Sequence, residues 1–162
     1  MLPVGSIAPD FTLRAAPAQN FSLSGINGKR MILAFYPADW SAVCSDQMSS
    51  YNEALDYFNQ ENAILIGISV DGRWCHLAFK NDRKLNFPLL SDFEPKGAVS
   101  KLYEAYDEQA GESKRALYVI DEDGIVRWNY LSPADINPGA DGILKALDDL
   151  NTMKNNKVQK KL

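Results

Sequence analysis

The stretch that decides the fold is MILAFYPADWSAVCSDQMSSYNEALDYF, residues 31–58. MILAFY (31–36) is a continuous apolar run, the pattern of a strand buried on both faces. From Ser45 to about Glu61, Met48, Tyr51, Leu55 and Phe58 recur at spacings of three and four, which predicts an amphipathic helix with Asp46 in its first turn. Between strand and helix stands Cys44, one of two cysteines in the chain. A helix N-terminus offers unpaired backbone N–H groups and partial positive charge, both of which favour a thiolate.

Magnitudes show what such a cysteine still needs. A thiol of ordinary pKa about 8.5 is only about 3% ionised at pH 7, and reaching about 90% takes roughly 3.4 kcal/mol. A helix end supplies about 0.3–1 kcal/mol and at most about 2. A nearby cation must supply much of the rest, and spacing alone does not name it.

Outward from this stretch the pattern is α/β. DFTL and NFSL, within residues 1–29, suit a small N-terminal hairpin. AILIGISV (63–70) is a second buried strand, WCHLAFKNDRKL (74–85) a helix with Trp74, Leu77 and Ala78 on one side, and FPLLSD (87–92) a short strand. PKGAVSKLYEAY (95–106) reads as a helix begun by Pro95. ALYVID and IVRWNYL flank EDG as a hairpin, and NPGADGILKALDDL (137–150) closes the chain with Ile143, Leu144 and Leu147 inward. The sum is a central mixed sheet flanked by helices, as one domain over residues 1–151 followed by a polar, flexible tail over 152–162.

A chain of 162 residues with 46% apolar content suits that single core. Its net charge of −4 gives no general attraction to nucleic acid or anionic lipid. The start, MLPVGSIAPDFTL, has no basic region before an apolar core, and no apolar run is long enough to span a bilayer, so a cytoplasmic location is expected. Two cysteines without a C-x-x-C or a Cys/His cluster argue against a disulfide scaffold and a metal site.

PADWSAVC fits the Pro-x-x-x-Thr/Ser-x-x-Cys motif of the peroxiredoxins, and APDFTL, GISVD, FPLLSD and KRALYVIDEDGIVR follow in order. Over residues 3–150 the chain resembles that family, most closely its one-Cys-like alkyl hydroperoxide reductase E branch. The resemblance implies a thioredoxin fold and a thiol peroxidase acting on hydrogen peroxide, organic hydroperoxides or peroxynitrite. It implies no metal or organic cofactor, an external thiol or thioredoxin-like reductant, and a homodimer. Cys44 matches the peroxidatic cysteine and Arg115 the arginine set against its sulfur. Ser41, in place of the commoner threonine, would hydrogen-bond the peroxide oxygens, and Pro37 would shield the sulfur. Gln47 stands where relatives often carry glutamate, and Trp40 replaces the usual phenylalanine.

Cys75 has two readings. It is a resolving thiol that closes a disulfide with Cys44, or a small residue packed beside a subunit interface. His76, the only histidine, is either a structural hydrogen-bonder or the partner of Cys44 in an acyl-transfer dyad. A redox-sensing or holdase module would use the same Cys44 oxidation to change its contacts. A dithiol oxidoreductase would need a second cysteine at position 47, where the chain has Gln47.

Overall fold

The computed structural model describes residues 1–26 and 28–160. In chain order the strands are β1 (Thr12–Ala15), β2 (Gln19–Ser22), β3 (Arg30–Phe35), β4 (Ala63–Ser69), β5 (Leu89–Ser91), β6 (Tyr106–Asp107), β7 (Glu112–Ser113), β8 (Ala116–Ile120) and β9 (Val126–Leu131). The helices are α1 (Ala42–Glu53), α2 (Leu55–Gln60), α3 (Arg73–Arg83), α4 (Ala98–Leu102) and α5 (Asp141–Gln159). Seven strands form one sheet in the order β2-β1-β5-β4-β3-β8-β9, and β6 and β7 make a separate ribbon. Strand β3 is central, parallel to β4 and antiparallel to β8.

The apolar run of β3 explains the layering. Side chains alternate along a strand, so Ile32, Ala34 and Tyr36 join Met48, Phe58, Phe79 and Leu147 on the face covered by α1, α2, α3 and α5. Met31, Leu33 and Phe35 face the other way, onto Phe11, Val99, Tyr103 and Tyr118. Phe11, Phe35, Tyr103 and Tyr118 form an aromatic cluster with ring centroids 5.4 to 6.1 Å apart.

Several expectations shift against the structure. Helix α1 starts at Ala42, three residues before Ser45, because Ser41 takes an extended conformation and caps it. Asp46 therefore falls beyond the first turn. The single helix expected to Glu61 is broken at Ala54 into α1 and α2. The inward residues of α3 are His76 and Phe79, while Trp74 is 59% exposed. Helix α4 does not begin at Pro95, because Gly97 is left-handed and Asp92 caps the N–H groups of Val99 and Ser100. Glu104 at φ 55° then turns the chain toward β6.

The polar tail from residue 152 is helical through Gln159; Lys161 and Leu162 lie outside the described residues. Arg30 anchors the helix just before this segment and Lys154 anchors it within. Arg30, 3% exposed, reaches Asn151 at 2.8 Å, the Leu147 carbonyl at 3.2 Å, Glu122 at 3.1 Å and Glu61 at 3.5 Å. Lys154 pairs with the same Glu122 oxygen.

Burial alone would raise the Glu122 carboxyl, but Lys154 and Arg30 outweigh it and hold the group below its ordinary value. A depressed carboxyl stabilises the fold above its unfolded pKa and loses that contribution as pH falls through its folded pKa. Glu122→Gln is expected to destabilise by about 1–2 kcal/mol at pH 7. Melting curves of the two proteins should converge as pH drops below the ordinary glutamate range.

Candidate active site around Cys44

Strand β3 delivers the chain to the site, and the loop 36–41 turns it into α1. Ser41 is the N-cap of α1, and its Oγ accepts the Cys44 N–H at 3.3 Å. That leaves the Ser41 hydroxyl proton free to donate elsewhere. Ser45 N–H donates to the Ser41 carbonyl, so Ala42 and Val43 precede the first intrahelical donor and their N–H groups stay open at the helix end. Cys44 lies in this first turn and its side chain is fully buried.

Arg115 sits immediately before β8, which pairs with β3 and brings it across to Cys44. Its Nη1 is 3.4 Å from Cys44 Sγ and 2.6 Å from Gln47 Oε1. Its Nε and Nη2 both donate to the Ala134 carbonyl, at 3.1 and 2.7 Å. Arg115 is 2% exposed and makes no ion pair with a carboxylate among the described residues. A buried charge is costly unless it is paired. Among the groups bonded to this guanidinium, only the Cys44 sulfur can carry a negative charge.

Gln47, fully buried, orients the arginine and is itself oriented, because its Nε2 donates to the Tyr51 hydroxyl at 3.0 Å. Burial pushes the Tyr51 phenol up to about 12, so it stays protonated at neutral pH. A cavity of about 160 Å³, bordered by Pro37, Arg115, Leu131, Ser132 and Ala134, opens beside the guanidinium. A larger cleft of about 440 Å³ between Arg14, Arg73 and Phe93 contains none of these groups.

Four residues named from the sequence thus converge, with Cys44 and Arg115 in contact, Ser41 on the Cys44 amide and Pro37 on the cavity wall beside Arg115. Arg127 lies outside this group, paired to Asp121 at 2.6 Å. His76 does not serve Cys44. Its Nδ1 is 2.7 Å from Asp39 Oδ2, and its Nε2 is 3.1 Å from the Leu90 carbonyl.

Both cysteines are free thiols. Burial raises the Cys75 thiol, and the negative charge of Asp39 raises it further. Both causes disfavour the thiolate form at Cys75. Asp39, Asp71 and Cys75 bring ligand-type atoms within 4.8 Å of one another. Both oxygens of Asp39 are already engaged, by Tyr36 and His76, and Asp71 Oδ2 accepts from Ser69 and the Asp39 N–H. Asp39 and Asp71 Oδ2 are thus held within one hydrogen-bond network.

Sequence reasoning missed the Ala134 clamp and the Asp39 network. The first is a backbone carbonyl, which no side-chain pattern reveals. Asp39 lies inside the quoted motif, but its partner His76 is 37 residues away.

Comparison with known proteins gives a consistent set of similarities. The model of the AhpC/TSA family matches residues 4–129. Alkyl hydroperoxide reductase E of Mycobacterium tuberculosis (strain ATCC 25618 / H37Rv) is 38% identical over 129 residues, 79% of this chain and 84% of its own length. Thioredoxin peroxidase of Echinococcus granulosus is 34% identical over 155 residues, 90% of this chain and 79% of its own. The reduced 2-Cys peroxiredoxin of Plasmodium vivax superposes with a TM-score of 0.87 at 30% identity, covering 94% of this chain and 83% of that one.

Proposed function

Since the chain belongs to the AhpC/TSA family and has the thioredoxin fold of the peroxiredoxins, we propose that its thiol-dependent peroxidase activity is carried by Cys44. The observation that carries this reading is the Arg115 Nη1 to Cys44 Sγ contact of 3.4 Å, made by a buried guanidinium with no carboxylate partner among the described residues. The sulfur attacks one oxygen of the peroxide in line with the O–O bond. Cys44 becomes a sulfenic acid, and the other oxygen leaves as an alkoxide or hydroxide that takes a proton from solvent. Arg115 serves the thiolate first and the leaving oxygen second, while the open N–H groups at the start of α1 face the same charge.

Ser41 donates its hydroxyl proton to the peroxide, and Pro37 keeps water from the sulfur. Hydrogen peroxide, organic hydroperoxides and peroxynitrite are the substrate class. An external thiol or a thioredoxin-like protein returns Cys44 to the reduced state, a cycle suited to the cytoplasm. No described helix is long and apolar enough to cross a membrane. The chain acts as a homodimer, a reading supported by Tyr130 and Leu131 on the outermost strand β9, which are 43% and 47% exposed. The sensor or holdase reading has no specific support in the site.

Intact mass and peptide mapping after one equivalent of peroxide test this assignment. The expected product is a gain of one oxygen on Cys44 in both the wild type and Cys75→Ser. Loss of two hydrogens, mapped to a Cys44–Cys75 link and absent from the variant, would make Cys75 the resolving thiol. No change at Cys44 would overturn the assignment itself.

A further inference from the structure

The loop 36–41 carries Pro37 and Ser41, and besides the Ser41 cap on the Cys44 N–H it is held by groups that do not touch Cys44. Trp40 within it adopts φ 69°, a left-handed conformation that a bulky residue enters only where its surroundings over-determine it. Those surroundings converge on the neighbouring Asp39, which is 6% exposed. Asp39 Oδ1 accepts the Tyr36 hydroxyl at 2.6 Å, Oδ2 lies 2.7 Å from His76 Nδ1, and the Asp39 N–H donates to Asp71 Oδ2 at 2.9 Å.

Each partner is anchored in turn. Burial, reinforced by the Asp39 charge, raises the Tyr36 phenol well above its ordinary value, so it remains a donor. His76 Nε2 must carry a proton, because its partner is the Leu90 carbonyl, which only accepts. Ser69 donates to the Asp71 carboxylate and Ser91 to the Asp71 carbonyl. A Cβ at Gly67 would come within 2.6 Å of Leu89 and 3.3 Å of the Tyr36 ring, so glycine leaves room for both. The Trp40 ring meets Phe79 edge-on, with centroids 5.3 Å apart. Three elements are thereby pinned to one residue, the end of β3 and the helix α3 through its carboxylate and the turn after β4 through its backbone N–H.

We propose that Asp39 is a positioning residue for peroxide reduction: through Tyr36, His76 and Asp71 it clamps the loop that places Ser41 on the Cys44 amide and Pro37 beside Arg115. The inference rests on Cys44 being the reacting thiol, and it assigns Asp39 no contact with the reacting atoms. Loosening this loop disturbs the wall that orients a peroxide but leaves the Arg115 contact with the sulfur in place. The rate with peroxide and the intrinsic reactivity of the sulfur should therefore separate.

Two electrophiles read the difference on the full chain. Hydrogen peroxide needs the oriented pocket, whereas iodoacetamide needs only an accessible, ionised sulfur. In Asp39→Ala the rate of Cys44 oxidation by peroxide is expected to fall about 100-fold, the scale of a 1 Å misplacement, with alkylation by iodoacetamide unchanged or faster. Asp39→Asn offers an oxygen to Tyr36 and an N–H to His76 Nδ1, and is expected to restore most of the peroxide rate. His76→Gln cuts the clamp from the α3 side and provides the same comparison if Asp39→Ala does not fold. Equal rates of peroxide oxidation in wild type and variants, or a parallel fall for both electrophiles, would overturn the role of Asp39. A wild-type Cys44 inert to peroxide would instead remove the reading on which it rests.

Discussion

Replacing Cys44 with serine is expected to abolish peroxide consumption while leaving the fold intact. The hydroxyl is nearly the same size as the thiol, and the site is fully buried beside Arg115, so the change removes reactivity more than packing. A serine hydroxyl is not ionised at neutral pH, and no histidine stands ready to take its proton, because His76 is committed to Asp39 and Leu90. Peroxide decay followed with a small dithiol as electron source should match the rate without protein, with a melting temperature near the wild-type value. Turnover retained in Cys44→Ser would move the chemistry to another residue and leave the Arg115 contact as a packing feature.

The second large effect is expected at Arg115. Arg115→Ala removes the cation bonded to Sγ and a donor to the leaving oxygen, and loss of a single such donor slows a reaction about 100- to 1,000-fold. It also leaves the Ala134 carbonyl and Gln47 Oε1 without their donor, so some loss of stability accompanies it. Arg115→Lys separates the two consequences. An ammonium keeps the charge but lacks the fixed fork that reaches Ala134, Gln47 and the sulfur together. Single-turnover oxidation should rank wild type above Arg115→Lys above Arg115→Ala. An alanine variant as fast as wild type would show that charge at this position does not drive the step.

The layers of the fold were legible because local signals agreed with the tertiary arrangement. MILAFY reads as a strand covered on both faces, and two separate clusters do cover it. The misreadings occur where one residue's backbone or a distant partner decides. Gly97 in the left-handed region delays α4, Ser41 in an extended conformation advances α1, and Arg30 with Glu122 extends α5 beyond its apolar stripe. The phase of α3 was misjudged because a polar residue, His76, takes an inward position that hydrophobicity assigns to Trp74.

At the site, the position of Cys44 near a helix start followed from periodicity, and the need for a cation followed from magnitudes. Which cation did not. Arg115 is 71 residues from Cys44, and only the family resemblance brought the two together before the fold did. Trp40 at positive φ leaves no mark in composition at all.

The neutral residue at position 47 has a consequence for the whole turnover cycle. With the sulfur ionised, the Arg115 and Cys44 pair is balanced, and Gln47 adds nothing to that balance. If Cys44 is oxidised as proposed, its charge departs with the leaving oxygen and the guanidinium then faces a neutral sulfenic acid, a neutral amide and a backbone carbonyl. On that mechanism the oxidised enzyme would be one positive charge out of balance at this site, in a chain whose net charge is −4. An incoming thiolate would carry the missing charge, so oxidation of Cys44 would itself prepare the field that draws in the next reactant.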